Sequence, residues 1–153
     1  MTIFERLRAG VTTSSAEETR AIAAELGAAL PADATLALHG DLGVGKTTFV
    51  QGLARGLGIT DPITSPTFNI FTLHRGPTVL LHLDAYRLDH PRQVEDLLLA
   101  DFMISPWCLA VEWPEKIEGW LPPNALDLDL GITPDERHTI RLRKSVAWGA
   151  PTD

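Results

Sequence analysis

Along this chain, apolar runs that stop at a polar or charged residue alternate with segments whose apolar residues return every three or four positions. The first pattern belongs to strands buried on both faces, the second to helices packed on a sheet. Leu36-Ala37-Leu38-His39, Thr78 to Asp84, and Trp107 to Val111 before Glu112 are of the first kind. Ile22, Leu26, Ala29 and Leu30 form the second kind: they follow capping boxes in either register at Ser14-Ser15-Ala16-Glu17-Glu18, and Pro31 ends them. Phe49, Val50, Leu53 and Leu57 predict another helix, with Gly58 at the place of its C-terminal cap. Asp89-His90-Pro91 opens a third, whose buried face is Val94, Leu97, Leu98 and Phe102.

A stricter alternation appears late in the chain. Leu126, Leu128 and Leu130 alternate with Asp127 and Asp129, and His138 to Arg143 alternates again. This predicts an antiparallel pair finishing the sheet on one side, its acids and arginines on the wet face. Phe68 to His74 reads as a strand closed by a turn at Arg75-Gly76-Pro77, and Leu121-Pro122-Pro123-Asn124 is a second turn. Residues 1–13 fit a short edge strand or a loop, and 145–153 a frayed tail.

Composition narrows the class. With 153 residues, 44% hydrophobic and 22% charged, the chain fits one domain over 1–153 with peripheral ends at 1–13 and 145–153. Its net charge of −7 argues against general affinity for nucleic acid or anionic membrane. The single cysteine, Cys108, lies in an apolar run, so no internal disulfide forms and a reducing cytoplasm is expected. Neither a signal-peptide core near Met1 nor 18 consecutive apolar residues occurs, so a soluble, cytoplasmic protein is expected.

The candidate chemistry begins where the first apolar run ends. Gly40-Asp41-Leu42-Gly43-Val44-Gly45-Lys46-Thr47 fits GxxxxGK[ST], with a strand before it and a helix after it. Glycines let such a backbone curl into a nest of N–H donors, and the following helix aims its positive dipole end at the same point. A triphosphate is the expected occupant, with Lys46 reaching its β- and γ-phosphates, Thr47 giving a hydroxyl to Mg²⁺, and Thr48 completing the loop. Asp84 and Glu112 each end an apolar strand, where open α/β sheets bind ligands; side by side they would frame the metal and the γ-phosphate. Between the glycine loop and Asp84 in sequence, residues 59–67 form a loop in which Ser65 and Thr67 offer hydroxyls to phosphate, Mg²⁺ or water. Arg87 stabilises phosphate charge or pairs with acids such as Glu95, and Trp113 is a rim aromatic or a ligand platform. Thr12 to Ser15 are candidates for the base side, and Arg137 and Arg141 for the base or a partner. The fold expected is an α/β single P-loop NTPase domain: a mixed, mostly parallel central sheet flanked by helices, with antiparallel strands toward the C-terminus.

Four motifs in fixed order, GDLGVGKTT at 40–48, SPTF at 65–68, HLDAYRL at 82–88 and VEWPE at 111–115, resemble the TsaE family over roughly 14–129. These are small bacterial P-loop ATPases required, with TsaB, TsaC and TsaD, for threonylcarbamoylation of adenosine 37 in certain tRNAs. The resemblance implies ATP and Mg²⁺ as cofactors, with Gly40 through Thr48 as the nucleotide loop and Thr47 and Glu112 as metal ligands. Ser65 and Thr67 would lie in a first switch, Asp84 at a Walker B-like strand end, and Glu112-Trp113 in a second switch. Catalytic roles fall to Asp84, Glu112 and Thr67. The implied partners are TsaD with TsaB, tRNA being met only through them, and a free monomer is one expectation. Leu98-Leu99-Ala100-Asp101-Phe102 departs from the family's glycine-containing pattern, and the C-terminal segment matches weakly. A nucleotide-gated binding module and a small-molecule kinase stand as alternatives. A GTPase is disfavoured because neither Asn69 nor Asn124 begins Asn-Lys-x-Asp.

Overall fold

The structure, a computed structural model, describes residues 1–41, 43–60, 62–63, 71–97 and 99–143. Its frame is a seven-stranded sheet ordered β1-β7-β6-β2-β5-β4-β3. The strands are β1 (Val11–Thr13), β2 (Ala34–His39), β3 (Phe71–His74), β4 (Val79–Asp84), β5 (Trp107–Glu112), β6 (Leu126–Ile132) and β7 (His138–Leu142). The four central strands, β6, β2, β5 and β4, pair in parallel, while β3, β7 and β1 add antiparallel ladders outside them. The mixed α/β class read from the sequence is therefore the observed one.

Apolar runs become the parallel centre because both faces are covered. Side chains alternate along a strand, so Leu80 joins one hydrophobic cluster and Leu81 the other. The first cluster packs Leu36, Leu38, Cys108 and Ala110 beneath Phe49, Val50 and Leu53 of α3 (Lys46–Gly56) and Ile22 and Leu26 of α2 (Ala16–Ala29). The second gathers Leu83, Leu109 and Val111 against Leu88, Val94, Leu99 and Ile117. Burial of Cys108 pushes its thiol up to about 12, which leaves it inert as a nucleophile.

Both long helices keep the ends their sequences predict. Ser15, rather than Ser14, caps α2, its Oγ accepting the Glu18 amide at 3.1 Å. Gly58, at φ +81°, follows the last turn of α3 and donates its N–H to Arg55 O at 3.1 Å. Close packing of the two helices requires missing side chains: a Cβ on Gly56 would lie 2.2 Å from Ala24 O, and one on Gly52 2.3 Å from Arg20 O.

Three expectations change. Residues 3–9 are neither strand nor loop but a helix, α1 (Ile3–Ala9), capped by Thr2, whose hydroxyl accepts the Glu5 amide. Ile3, Phe4 and Leu7 bury one face of it, and β1 follows at the sheet edge. The expected hairpin forms, but it does not finish the sheet: β6 also pairs in parallel with β2, and β1 lies outside β7. The predicted third helix is broken into α4 (Arg92–Asp96) and a 3-10 turn at Leu99–Phe102, leaving Phe102 38% exposed and tilted against Phe71. Leu98 and the 145–153 tail lie outside the described residues.

Candidate functional site

The carboxyl ends of β2, β4 and β5 define one edge of the sheet, and chain order there is set by register. Leu38 of β2 is the Cα partner of Glu112, and Glu112 is the partner of Asp84. The two strand-terminal acids therefore stand next to each other, Glu112 one strand and Asp84 two strands away from the start of the glycine loop. Gly43, Gly45, Lys46, Thr47, Thr48, Asp84, Glu112 and Trp113 line a single open cleft at this edge.

The loop is shaped for close approach. Gly43 and Gly45 have φ of +87° and +94°, a region where a side chain is strained. Gly45 enters α3 without a side-chain cap, so the first amides of the helix are left for whatever sits before them. Val44 is buried beneath the loop, and the Val44 carbonyl accepts a hydrogen bond from His138 Nδ1 of β7 at 3.1 Å. A Cβ on Gly40, at φ +149°, would lie 2.6 Å from Leu130 O, and Asp41 is exposed. Leu42 lies outside the described residues, as do Ser65 and Thr67 of the expected first switch.

Lys46 is only 5% exposed and donates from Nζ to Gly40 O at 2.8 Å. Its ammonium also lies 4.0 Å from the centroid of the Trp113 ring, a cation–π contact. Burial pulls its pKa below the usual lysine range, while Glu112, Asp84, Glu115 and Asp41 pull it back up. Trp113 is thus a wall of the cleft, held at φ +58° in the left-handed region and tilted against Tyr86 at 5.1 Å. For a non-glycine residue that backbone costs about 1–3 kcal/mol, which the surrounding contacts must outweigh.

Asp84 is half-buried, and its Oδ1 accepts the Tyr86 amide at 3.0 Å. Glu112 is more deeply set, and its Oε2 accepts from His82 Nε2 at 2.5 Å. Sequence reasoning missed His82. Its signal was a histidine interrupting an apolar strand two residues before Asp84, hence on the same face. His138 was missed too, because nothing in its own strand shows that it reaches the glycine loop.

The site's donors are hard oxygens: the Thr47 hydroxyl and the Asp84 and Glu112 carboxylates. That set fits Mg²⁺, which keeps waters and phosphate oxygens and takes few protein ligands. Among the described residues no group of three or more His, Cys, Asp and Glu side chains is disposed as a self-sufficient metal cage. Arg137 instead pairs with Asp135 at 3.1 Å, and Arg141 is exposed on β7. Thr13 is buried and shares a 2.6 Å hydroxyl contact with Thr19, with Thr13 and His138 as register partners beside the loop.

Known proteins share the fold that carries this cleft. The family model described as "Threonylcarbamoyl adenosine biosynthesis protein TsaE" matches residues 13–141. The Bacillus subtilis tRNA threonylcarbamoyladenosine biosynthesis protein TsaE is 42% identical over 130 residues, 84% of this chain and 80% of that one. The protein of the same name from Treponema pallidum is 33% identical over 128 residues, covering 84% of this chain and 95% of its own. The crystal structure of Bacillus subtilis YdiB superposes with a TM-score of 0.73 at 34% identity, over 87% of this chain and 82% of that one. With the match running from β1 into β7 and so including every strand that builds the cleft, the chain belongs to the TsaE family.

Proposed function

We propose that this protein binds ATP with Mg²⁺, hydrolyses it, and uses the cycle to act on TsaD bound to TsaB in tRNA threonylcarbamoyladenosine biosynthesis. The observation that carries the ATPase reading is the convergence of the glycine loop, Lys46, Asp84 and Glu112 on one cleft. Membership in a family named for this biosynthesis supports the pathway.

In this reading the β- and γ-phosphates lie against the amides of Gly43 to Thr48, and Lys46 exchanges the Gly40 carbonyl for phosphate oxygens. Thr47 and Glu112 would hold Mg²⁺, whose chemistry there would be Lewis-acid stabilisation of the phosphate charge. Asp84, freed of that duty, orients the attacking water and takes its proton. The water oxygen bonds to the γ-phosphorus, the bond to the β–γ bridging oxygen breaks, and ADP and inorganic phosphate leave. Trp113 borders both the lysine and Glu112, so movement of the 111–115 segment would report the state of the γ-phosphate to a partner. The net charge of −7 suits a protein that meets tRNA only through that partner. No helix among the described residues is long and apolar enough to cross a membrane.

The test is phosphate release by the purified protein, alone and with its cognate TsaB and TsaD, with Lys46→Ala as control. Slow turnover that rises with the partners and vanishes in the variant is expected. Turnover indifferent to the partners breaks the coupling, and a phosphorylated small-molecule acceptor would replace the reading with a kinase.

A further inference from the structure

The imidazole of His82 is fully buried, and no step above uses it. It belongs to the same face as Leu80, above which α3 packs, and its register neighbour on β5 is Ala110, whose small side chain leaves room for the ring. One nitrogen, Nε2, is bound to Glu112 Oε2 at 2.5 Å, and the other, Nδ1, has no hydrogen-bond partner among the described residues. A buried polar atom without a partner is destabilising, and an apolar side chain of similar volume would satisfy this core at lower cost. What the fold obtains for that cost is the orientation of one carboxylate.

We propose that His82 is a positioning residue for Glu112: its Nε2–H fixes Oε2, so that Oε1 is the oxygen presented to a divalent cation in the cleft. This rests on the reading that Glu112 helps hold Mg²⁺ beside the nucleotide. An ionised carboxylate only accepts hydrogen bonds, so Nε2 carries the proton and the ring holds Glu112 in one rotamer. Without that bond Glu112 is free to turn toward the Lys46 ammonium, whose charge it already feels. Metal-ligating carboxylates are themselves held by hydrogen bonds, and loss of such an outer partner typically costs about 10–100-fold in metal affinity.

The test uses Mn²⁺ and ADP, with no turnover needed. Mn²⁺ uptake by the protein–ADP complex is followed by electron paramagnetic resonance, and ADP affinity is measured separately in EDTA. His82→Leu should keep the ADP affinity in EDTA while weakening Mn²⁺ binding about 10-fold or more. His82→Gln, whose amide nitrogen can stand where Nε2 stands, should recover most of the loss, and His82→Asn, which replaces the other nitrogen, should not. Should His82→Leu fail to fold, the Gln and Asn variants decide between them. Unchanged Mn²⁺ affinity in His82→Leu, or equal Mn²⁺ affinity in His82→Gln and His82→Asn, overturns the positioning role and leaves the ATPase reading standing. If the wild-type protein adds nothing to the Mn²⁺ affinity of ADP itself, the metal reading of Glu112 fails and takes this role with it.

Discussion

The two halves of the sheet treat charge in opposite ways. On the outer side, the acids of β6 are paired: Asp129 takes Arg143, just past β7, in a two-pronged contact at 2.8 and 2.9 Å, and Asp127 takes His39, at the end of β2, at 2.7 Å. At the carboxyl edge of β2, β4 and β5, the buried Lys46 is held by a loop carbonyl and an aromatic face, with two carboxylates near but, among the described residues, no acid in a salt bridge with it. Paired charges stabilise a surface modestly and then have nothing left to offer. A buried cation facing acids across a cleft is electrostatically unfinished, and under the proposed function a phosphate–metal unit would complete it.

The largest effect is expected at Lys46. Lys46→Met should cut hydrolysis by at least about 100-fold, the scale of losing a charge-stabilising donor, as read by phosphate release. The same variant should not lower the melting temperature of the nucleotide-free protein. Because burial depresses this lysine's pKa in the fold, its charged form costs stability at neutral pH, and that cost disappears only as pH rises through the alkaline range. A lower melting temperature would show that the lysine is structural.

Asp84→Ala should retain ATP binding, measured by calorimetry, and lose turnover by about 100-fold or more. A variant without turnover that still supports the tRNA modification would favour a nucleotide-gated module over a partner-driving ATPase.

Gly56→Ala tests the scaffold rather than the cleft. Its new methyl would meet Ala24 O at 2.2 Å, so α2 and α3 must separate, at about 1–3 kcal/mol. Thermal unfolding should show the loss, with turnover kept at temperatures where the variant is folded.

The smallest effect belongs to the paired half. Arg143→Ala should cost roughly 0–1 kcal/mol and leave hydrolysis unchanged. Its hydrogen bond holds the Asp129 carboxyl below its ordinary pKa. That contribution is therefore present above pH about 4, the unfolded value, and is lost as pH falls through the lower folded value. Acid unfolding of the variant should be correspondingly less steep. An Arg143→Ala change that impaired turnover would connect the two halves.

Much of the site was legible because its pieces are local. A glycine loop declares itself by spacing, and a strand that ends in Asp84 or Glu112 declares its own end. Helix α1 was missed although Thr2 three residues before Glu5, and Gly10 after Ala9, are caps that could have shown it. One buried face over seven residues is too short for periodicity to outweigh a strand or loop, and packing on β7 decides the matter. The third helix failed differently: Gln93 Oε1 takes the Asp89 and His90 amides at 2.6 and 2.9 Å to open it, but it ends after one turn and a 3-10 turn follows.

The alternation of buried strands and covering helices, the glycine loop between β2 and α3, and the two strand-terminal acids were determined by the sequence alone, since each depends on residues within one turn or one strand of each other. Only the tertiary structure decided that β5 lies between β2 and β4, which makes neighbours of Asp84 and Glu112 although 28 positions separate them, as their numbers show. It also decided that His82 would hold Glu112 and that Trp113 would cover Lys46. Strand order and register are set by how both faces of the sheet are buried, a property of the packed chain and of no single segment.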